Sequence, residues 1–73
     1  MVDWEAFESQ AIDHQMKLVN QKFGTNQQAN WGWAVDEQPD CLVISTKVYS
    51  DPIRILTTMV MADGSMSDDW MEY

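Results

Sequence analysis

The sequence predicts one α+β domain, in which an N-terminal helix packs on a three-stranded antiparallel β-meander and residues 63–73 form an acidic, aromatic tail or a short helix. Three observations lead to this prediction. Apolar residues near the N-terminus recur at helical spacing, and the segments that follow alternate with a period of two. A chain of 73 residues is also long enough for only one small core.

The helix is predicted from Trp4 to Phe23, because apolar side chains recur there at steps of three and four residues. Asp3 is of a residue type that caps helix N-termini, and acidic residues follow it in the first turns, where the helix dipole favours negative charge. Lysines lie toward the other end, and Gly24 follows the last turn as a C′ glycine does. These signals agree on both helix ends.

Two strands and a turn are predicted after the helix. Trp31, Trp33 and Val35 alternate with smaller or polar residues, so they are expected to share one strand face. The stretch from Cys41 to Ser50 is rich in β-branched residues. It is expected to pair with the first strand as an antiparallel hairpin across a turn at residues 37–40.

Residues 53–62 fit two structures. As a helix, the segment would have Asp51 as its N-cap, Pro52 at its first position and Gly64 after its end. As a strand, it would use its isoleucines, threonines and valine, which favour an extended backbone. The composition favours the strand, which completes the meander.

The chain is strongly acidic, with 12 Asp and Glu against 4 Lys and Arg and a formal net charge of −8. Four cations are too few for direct binding to nucleic acid through phosphate neutralisation. The net negative charge also argues against binding to anionic membrane surfaces, which would repel the chain. Residues 63–73 hold four of the acids and no base. A second acidic cluster lies at the predicted hairpin turn.

The expected location is the cytoplasm. The N-terminus has no basic region followed by an apolar run, as a signal peptide would. The longest mostly apolar stretch, Ile53 to Ala62, is too short and too polar to span a bilayer. Cys41 is the single cysteine, so an internal disulfide is impossible and a reducing compartment suits the chain.

No combination of residues indicates a reaction. Cys41 and His14 are the one Cys–His pair, and nothing in the sequence brings them together. One Cys and one His cannot supply a zinc site. An EF-hand loop with its glycine at Gly64 would need oxygen ligands where Met59 and Met61 stand. We therefore expect a protein that is not an enzyme and that holds neither a cofactor nor a metal.

The candidate partner-binding residues are the acids of the predicted turn and tail, together with two aromatic anchors. Charge would steer the encounter, and the aromatic side chains would supply affinity. The last six residues resemble the acidic, aromatic-ended tails of single-stranded-DNA-binding proteins, but the chain lacks the basic groove of that family, so its function is not carried over. The candidates are Asp36, Glu37, Asp40, Asp63, Asp68, Asp69, Trp70, Glu72 and Tyr73.

The sequence is compatible with two functions. The leading hypothesis is a non-enzymatic acidic protein that binds a basic protein, such as a nucleic-acid-binding enzyme, and blocks its nucleic-acid site by imitating phosphate charge. Viral inhibitors of host defence proteins form one such group, and a viral protein of this kind would act in the host cytoplasm. The alternative is a small structural protein that forms a homodimer or larger assembly, because one helix leaves one apolar sheet face uncovered.

Overall fold

A computed structural model describes residues 2–73 and shows one helix packed on one face of a four-stranded antiparallel sheet. The strands lie in sequence order, each beside the next. The α+β prediction is confirmed, whereas the prediction of three strands is wrong because the C-terminal residues add a fourth. The elements are α1 (Trp4–Phe23), β1 (Ala29–Glu37), β2 (Cys41–Val48), β3 (Arg54–Met61) and β4 (Met66–Glu72).

The helix has the predicted bounds, and both of its ends are stabilised by hydrogen bonds. Asp3 is the N-cap, and its carboxylate accepts a hydrogen bond from the N–H of Ala6 at 3.2 Å. At the other end Gly24 has a φ of +91°, and its N–H donates to the carbonyl of Asn20 at 2.9 Å. Glycine adopts this φ without strain, so the chain can leave the helix here. Within residues 2–73 no helix is long and apolar enough to cross a membrane.

The core lies between α1 and the sheet face formed by alternate residues of β2 and β3. Side chains on this face are almost fully buried, as expected for a half-buried strand with a period of two. They form two clusters along the helix. One cluster packs Ala11 against Leu42, Ile44 and Val60, and the other packs Val19 against Val48 and Leu56.

A β-bulge in β1 separates its two tryptophans. The pairing with β2 shifts register between Asn30 and Ala34, and Gly32 within the bulge has a φ of +66°. Trp31 packs against a buried cluster under α1, while Trp33 lies near Tyr73 on the opposite face of the sheet. The prediction that both tryptophans share one face is wrong, because the bulge at the glycine breaks the alternation.

Residues 53–73 form a two-stranded hairpin. The prediction of a strand over residues 53–62 is confirmed as β3, which pairs along its whole length with β2. The prediction that residues 63–73 form a tail or short helix is wrong, because β4 pairs with β3 at seven positions. Gly64, with a φ of +89°, permits the tight turn between them. β4 supplies hydrogen-bond partners to the backbone groups on one edge of β3, which would otherwise be unpaired.

A glutamine lies at the centre of the core. Gln15 has no exposed surface, and its side-chain nitrogen lies 2.9 Å from the Thr58 hydroxyl and 3.1 Å from the carbonyl oxygen of Ile44. The Thr46 hydroxyl donates to the Gln15 amide oxygen at 2.6 Å, and Thr46 accepts from the N–H of Gly32 at 3.2 Å. Within residues 2–73 no buried side-chain nitrogen or oxygen lacks a partner. Gln15 therefore links α1 to both central strands and, through Thr46, to the bulge.

We call the sheet face turned away from α1 the open face. Its side chains pack on one another but leave much of their apolar surface exposed. The Lys47 ammonium lies 4.1 Å from the Tyr73 ring centre and 5.5 Å from the Trp33 ring centre, and Ile55 beside it is buried. β4 widens the sheet without covering this face. The large exposed apolar side chains of the open face are Trp33, Tyr49, Met59, Met61, Met71 and Tyr73.

Candidate functional site

The orientation of α1 gathers acidic residues at one end of the molecule. Its N-terminal half packs on Leu42 and Val60, beside the β1–β2 and β3–β4 turns, and its C-terminal half packs on Val48 and Leu56, beside the β2–β3 turn. Three acidic stretches that are distant in sequence therefore meet. We call this region the acidic end; it consists of Asp3, Glu5, Glu8, Asp36, Glu37, Asp40 and Asp63.

The bases of the described chain lie elsewhere. Lys17 and Lys22 belong to the C-terminal half of α1, and Lys47 and Arg54 lie beside the β2–β3 turn. The molecule extends 39 Å along its longest axis, several times the Debye length of about 8 Å at physiological salt. The acidic end, with seven acids, therefore keeps a negative potential of its own.

A cleft opens at the acidic end between the first turn of α1 and the β1–β2 hairpin. Its volume is about 490 Å³, within the range of roughly 300–1,000 Å³ that is typical of ligand sites. Trp4, Val35 and Leu42 form much of its apolar wall. We call it the acidic cleft; its carboxylates belong to Asp3, Glu5, Glu8 and Glu37.

The two neighbouring acids at the end of β1 face opposite sides of the sheet. Glu37 is paired with Leu42, so it lies on the side of α1 and lines the acidic cleft. Asp36 is paired with Val43 on the open face, and its carboxylate accepts a hydrogen bond from the Gln38 side chain at 2.9 Å. The cluster predicted at the hairpin turn therefore presents charge to both sides of the acidic end.

Asp63 extends the acidic end into the β3–β4 turn. Its carboxylate accepts hydrogen bonds from the Ser65 hydroxyl at 2.7 Å and from the Ser65 N–H at 2.9 Å. These bonds favour the ionised form, so they lower the pKa of Asp63 from its ordinary value of 3.8. The side chain therefore stays negative over the whole physiological pH range.

Replacing Ser65 with alanine is expected to raise the pKa of Asp63 toward its ordinary value, because the hydroxyl bond is the largest cause of the lowering. The pKa of Asp63 is lower in the folded state than in the unfolded state. The stability that the Ser65 bonds give the fold is therefore present above the unfolded pKa and is lost as the pH falls through the folded pKa. Side-chain carboxyl chemical shifts of both proteins, recorded across acidic pH, measure the difference. An unchanged titration midpoint would contradict the assigned bond.

The candidate residues of the C-terminal segment are distributed along β4 and not on a free tail. Trp70 turns toward α1, where its ring meets Phe23 edge-on at 5.8 Å between ring centres. Tyr73 lies on the open face and is 70% exposed. Asp69 and Glu72 are exposed along β4. The structure thus brings Asp36, Glu37, Asp40 and Asp63 together, and β4 carries the other candidates away from them.

Asp68 is exposed on β4 and is joined to the polar network of the core through Thr58. The Thr58 hydroxyl donates to one of its carboxylate oxygens at 2.7 Å, and the other oxygen lies 2.8 Å from Nε2 of His14. In a catalytic triad the imidazole lies between the carboxylate and the nucleophile. Here the carboxylate lies between the hydroxyl and the imidazole, so the group joins α1, β3 and β4 and is not arranged for nucleophilic attack.

Cys41 and His14, the Cys–His pair of the sequence, make separate contacts in the structure. Cys41 is buried at the start of β2, with its sulfur 3.6 Å from the side-chain oxygen of Gln38. His14 contacts Asp68 on the far strand of the sheet. In the part of the chain that the structure describes, no group of three or more His, Cys, Asp and Glu side chains could hold a metal ion.

The acidic cleft was not predicted from the sequence. Trp4 fits the apolar helix stripe, and the structure shows it packing beside the core as well as lining the cleft. The signal that could have indicated the cleft is an aromatic residue next to Glu5 and Glu8 at a helix start. Its other wall, which includes Glu37, comes from a hairpin that only the tertiary structure brings near.

Comparison of the chain with protein-family models, with curated proteins and with solved structures found no match.

Proposed function

We propose that this protein is a non-enzymatic acidic binding protein that engages a basic protein and blocks its nucleic-acid-binding surface by imitating phosphate charge. A viral inhibitor of a host defence enzyme, acting in the host cytoplasm, is the class of protein that this proposal describes. The observation that carries the proposal is the convergence of seven acids at one end, with no lysine or arginine there among the described residues.

The charge distribution supports this proposal physically. Nucleic-acid-binding surfaces are arrays of lysine and arginine that recognise closely spaced negative charges. The acidic end offers such charges on two hairpin turns and the first turns of a helix, with exposed Asp36, Glu37, Asp40 and Asp63 among them. A single-signed patch steers the encounter with a basic surface and sets the orientation of the complex.

The experiment is a binding series with purified basic nucleic-acid enzymes, in rising salt and in competition with DNA or RNA. We expect affinity to fall with salt and nucleic acid to compete. The variant Asp36→Asn/Glu37→Gln/Asp40→Asn should bind at least about tenfold more weakly. The control Asp51→Asn/Asp69→Asn/Glu72→Gln removes the same charge outside the acidic end and should bind nearly as well. Binding that ignores salt, or equal losses in both variants, would exclude charge mimicry by the acidic end.

A second candidate function is self-assembly through the open face. Six of its large apolar side chains are exposed, for example Met59 at 42% and Met71 at 53%. The face also carries Asp36 toward the acidic end and Lys47 toward the other. Two copies packed face to face with antiparallel strands would place each acidic end over the half of its partner that holds the bases. The self-complementary charge favours a second copy as the occupant.

Sedimentation at low micromolar concentration tests this second function. A dimer is expected that Met59→Gln weakens, because the substitution places an amide in the apolar centre of the contact. Met16→Gln is the matched control, since Met16 is similarly exposed, at 37%, but lies on α1. A strictly monomeric protein, or equal effects of the two substitutions, would exclude assembly through the open face.

A further inference from the structure

We infer that the acidic cleft binds an arginine side chain presented by a basic protein segment. This inference depends on the proposed function, because it assigns a specific occupant to one part of the acidic end. The cleft is larger than a single side chain needs, with a volume of about 490 Å³. It therefore has room for the arginine together with its neighbouring residues.

The apolar wall suits the long aliphatic part of such a side chain. Trp4 and the exposed Val35 supply the accessible part of this wall, with the buried Leu42 behind them. Trp4 is only partly buried, so part of its indole remains accessible. Arginine packs its methylene groups on apolar surface while its charged end reaches polar groups. A guanidinium can also stack on an indole ring, where the planar cation meets the negative face of the aromatic system.

The carboxylates of the acidic cleft supply the complementary charge. Asp3 caps the helix, whereas Glu5, Glu8 and Glu37 have no cationic partner among residues 2–73. The ion pair found in that part of the chain is between His14 and Asp68. No lysine or arginine lines the cleft among the described residues. A cation entering it would therefore meet several carboxylates beside an apolar wall.

The chemistry of the lining favours arginine over lysine. A carboxylate can accept two parallel hydrogen bonds from a guanidinium, whereas an ammonium acts as a compact point charge with a strongly held water shell. An apolar wall penalises the ammonium more, because its water shell must be removed. The cleft should therefore distinguish two peptides of equal charge, which a simple acidic surface would not.

The test compares capped tetra-arginine and tetra-lysine peptides, titrated into isotope-labelled full-length protein and followed by NMR. We expect several-fold tighter binding of the arginine peptide, with the largest shifts at the Trp4 indole, Val35 and Leu42. Glu37→Gln should weaken that binding about tenfold, as the loss of one charge-assisted hydrogen bond predicts. Glu72→Gln, at an exposed position on β4, is the matched control and should leave it unchanged. Spectra of the free variants verify that each is folded.

The outcomes separate this inference from the proposed function. Equal affinity for the two peptides, or shifts confined to Asp36, Asp40 and Asp63 outside the cleft, would overturn the arginine site while leaving charge-driven binding at the acidic end intact. Shifts spread over the molecule with no focus on the acidic end would overturn both. Equal weakening by Glu37→Gln and Glu72→Gln would also overturn the arginine site, because it would show that net charge alone sets the affinity.

Discussion

Replacing Gln15 with leucine is expected to lower the free energy of unfolding by about 2–3 kcal/mol. The leucine cannot accept the hydrogen bond that the Thr46 hydroxyl now donates at 2.6 Å, so a fully buried donor loses its partner. Thr58 loses the donor at 2.9 Å that fixes its hydroxyl toward Asp68. A domain of this length has a total stability of about 4–11 kcal/mol, so the loss is a large part of it.

Urea unfolding followed by tryptophan fluorescence measures this effect as a lower midpoint with an unchanged slope. Gln21→Leu is the matched control, because Gln21 is exposed on the same helix and the same substitution there should change stability by less than about 0.5 kcal/mol. The triple variant Gln15→Leu/Thr46→Val/Thr58→Val should recover part of the loss, since it removes the buried hydroxyls as well. A Gln15→Leu protein as stable as the original would show that the network contributes no net stability.

The sequence predicts the helix well because its signals are local. The N-cap, the apolar spacing and the terminal glycine all act within a few residues. Each has the predicted role in the structure, except that Met16 of the apolar spacing is exposed. The same spacing could not reveal Gln15 as a core residue. A glutamine in an apolar stripe is a poor core candidate unless hydroxyls lie opposite it, and Thr46 and Thr58 come from strands about 30 and 40 residues away.

The two wrong predictions about the sheet have separate physical causes. Gly32 permits a positive φ, so a bulge forms in β1 and places Trp31 and Trp33 on opposite faces, although their spacing in the sequence predicts one shared face. Residues 66–72 have a polar, acidic composition that is unusual for a strand, and pairing with β3 outweighs this low propensity. Strand propensity depends on tertiary context, and the context here is the otherwise unpaired edge of β3.

The candidate site could be predicted only in part for a similar reason. The sequence identifies the acids of the hairpin turn because Asp36, Glu37 and Asp40 lie within five consecutive residues. Their meeting with Asp63 and with the first helix turns follows from the direction in which α1 crosses the sheet, which no local pattern encodes. Along the sequence, half of the excess negative charge lies in the last eleven residues. In the folded molecule, most of the total excess negative charge lies at the acidic end.

Replacing Trp70 with alanine is expected to destabilise the protein by about 2–3 kcal/mol, somewhat less than the truncation of a fully buried tryptophan. Trp70 is half-buried on β4 beside the cluster of Val19, Val48 and Leu56, and its ring meets Phe23 edge-on. The Lys22 ammonium also lies 5.2 Å from the ring centre. The truncation therefore removes packing, an aromatic pair and a cation–π contact at once.

Tyr73→Ala provides the control that separates a structural anchor from a docking anchor. Tyr73 is the other aromatic candidate of the C-terminal segment and is 70% exposed, so its truncation should cost less than about 1 kcal/mol. Urea midpoints of the two variants measure the difference. Equal and small effects would mean that Trp70 does not hold β4 against the core. A docking role would then be the better explanation of the aromatic ring, because its contribution would appear in partner affinity and not in stability.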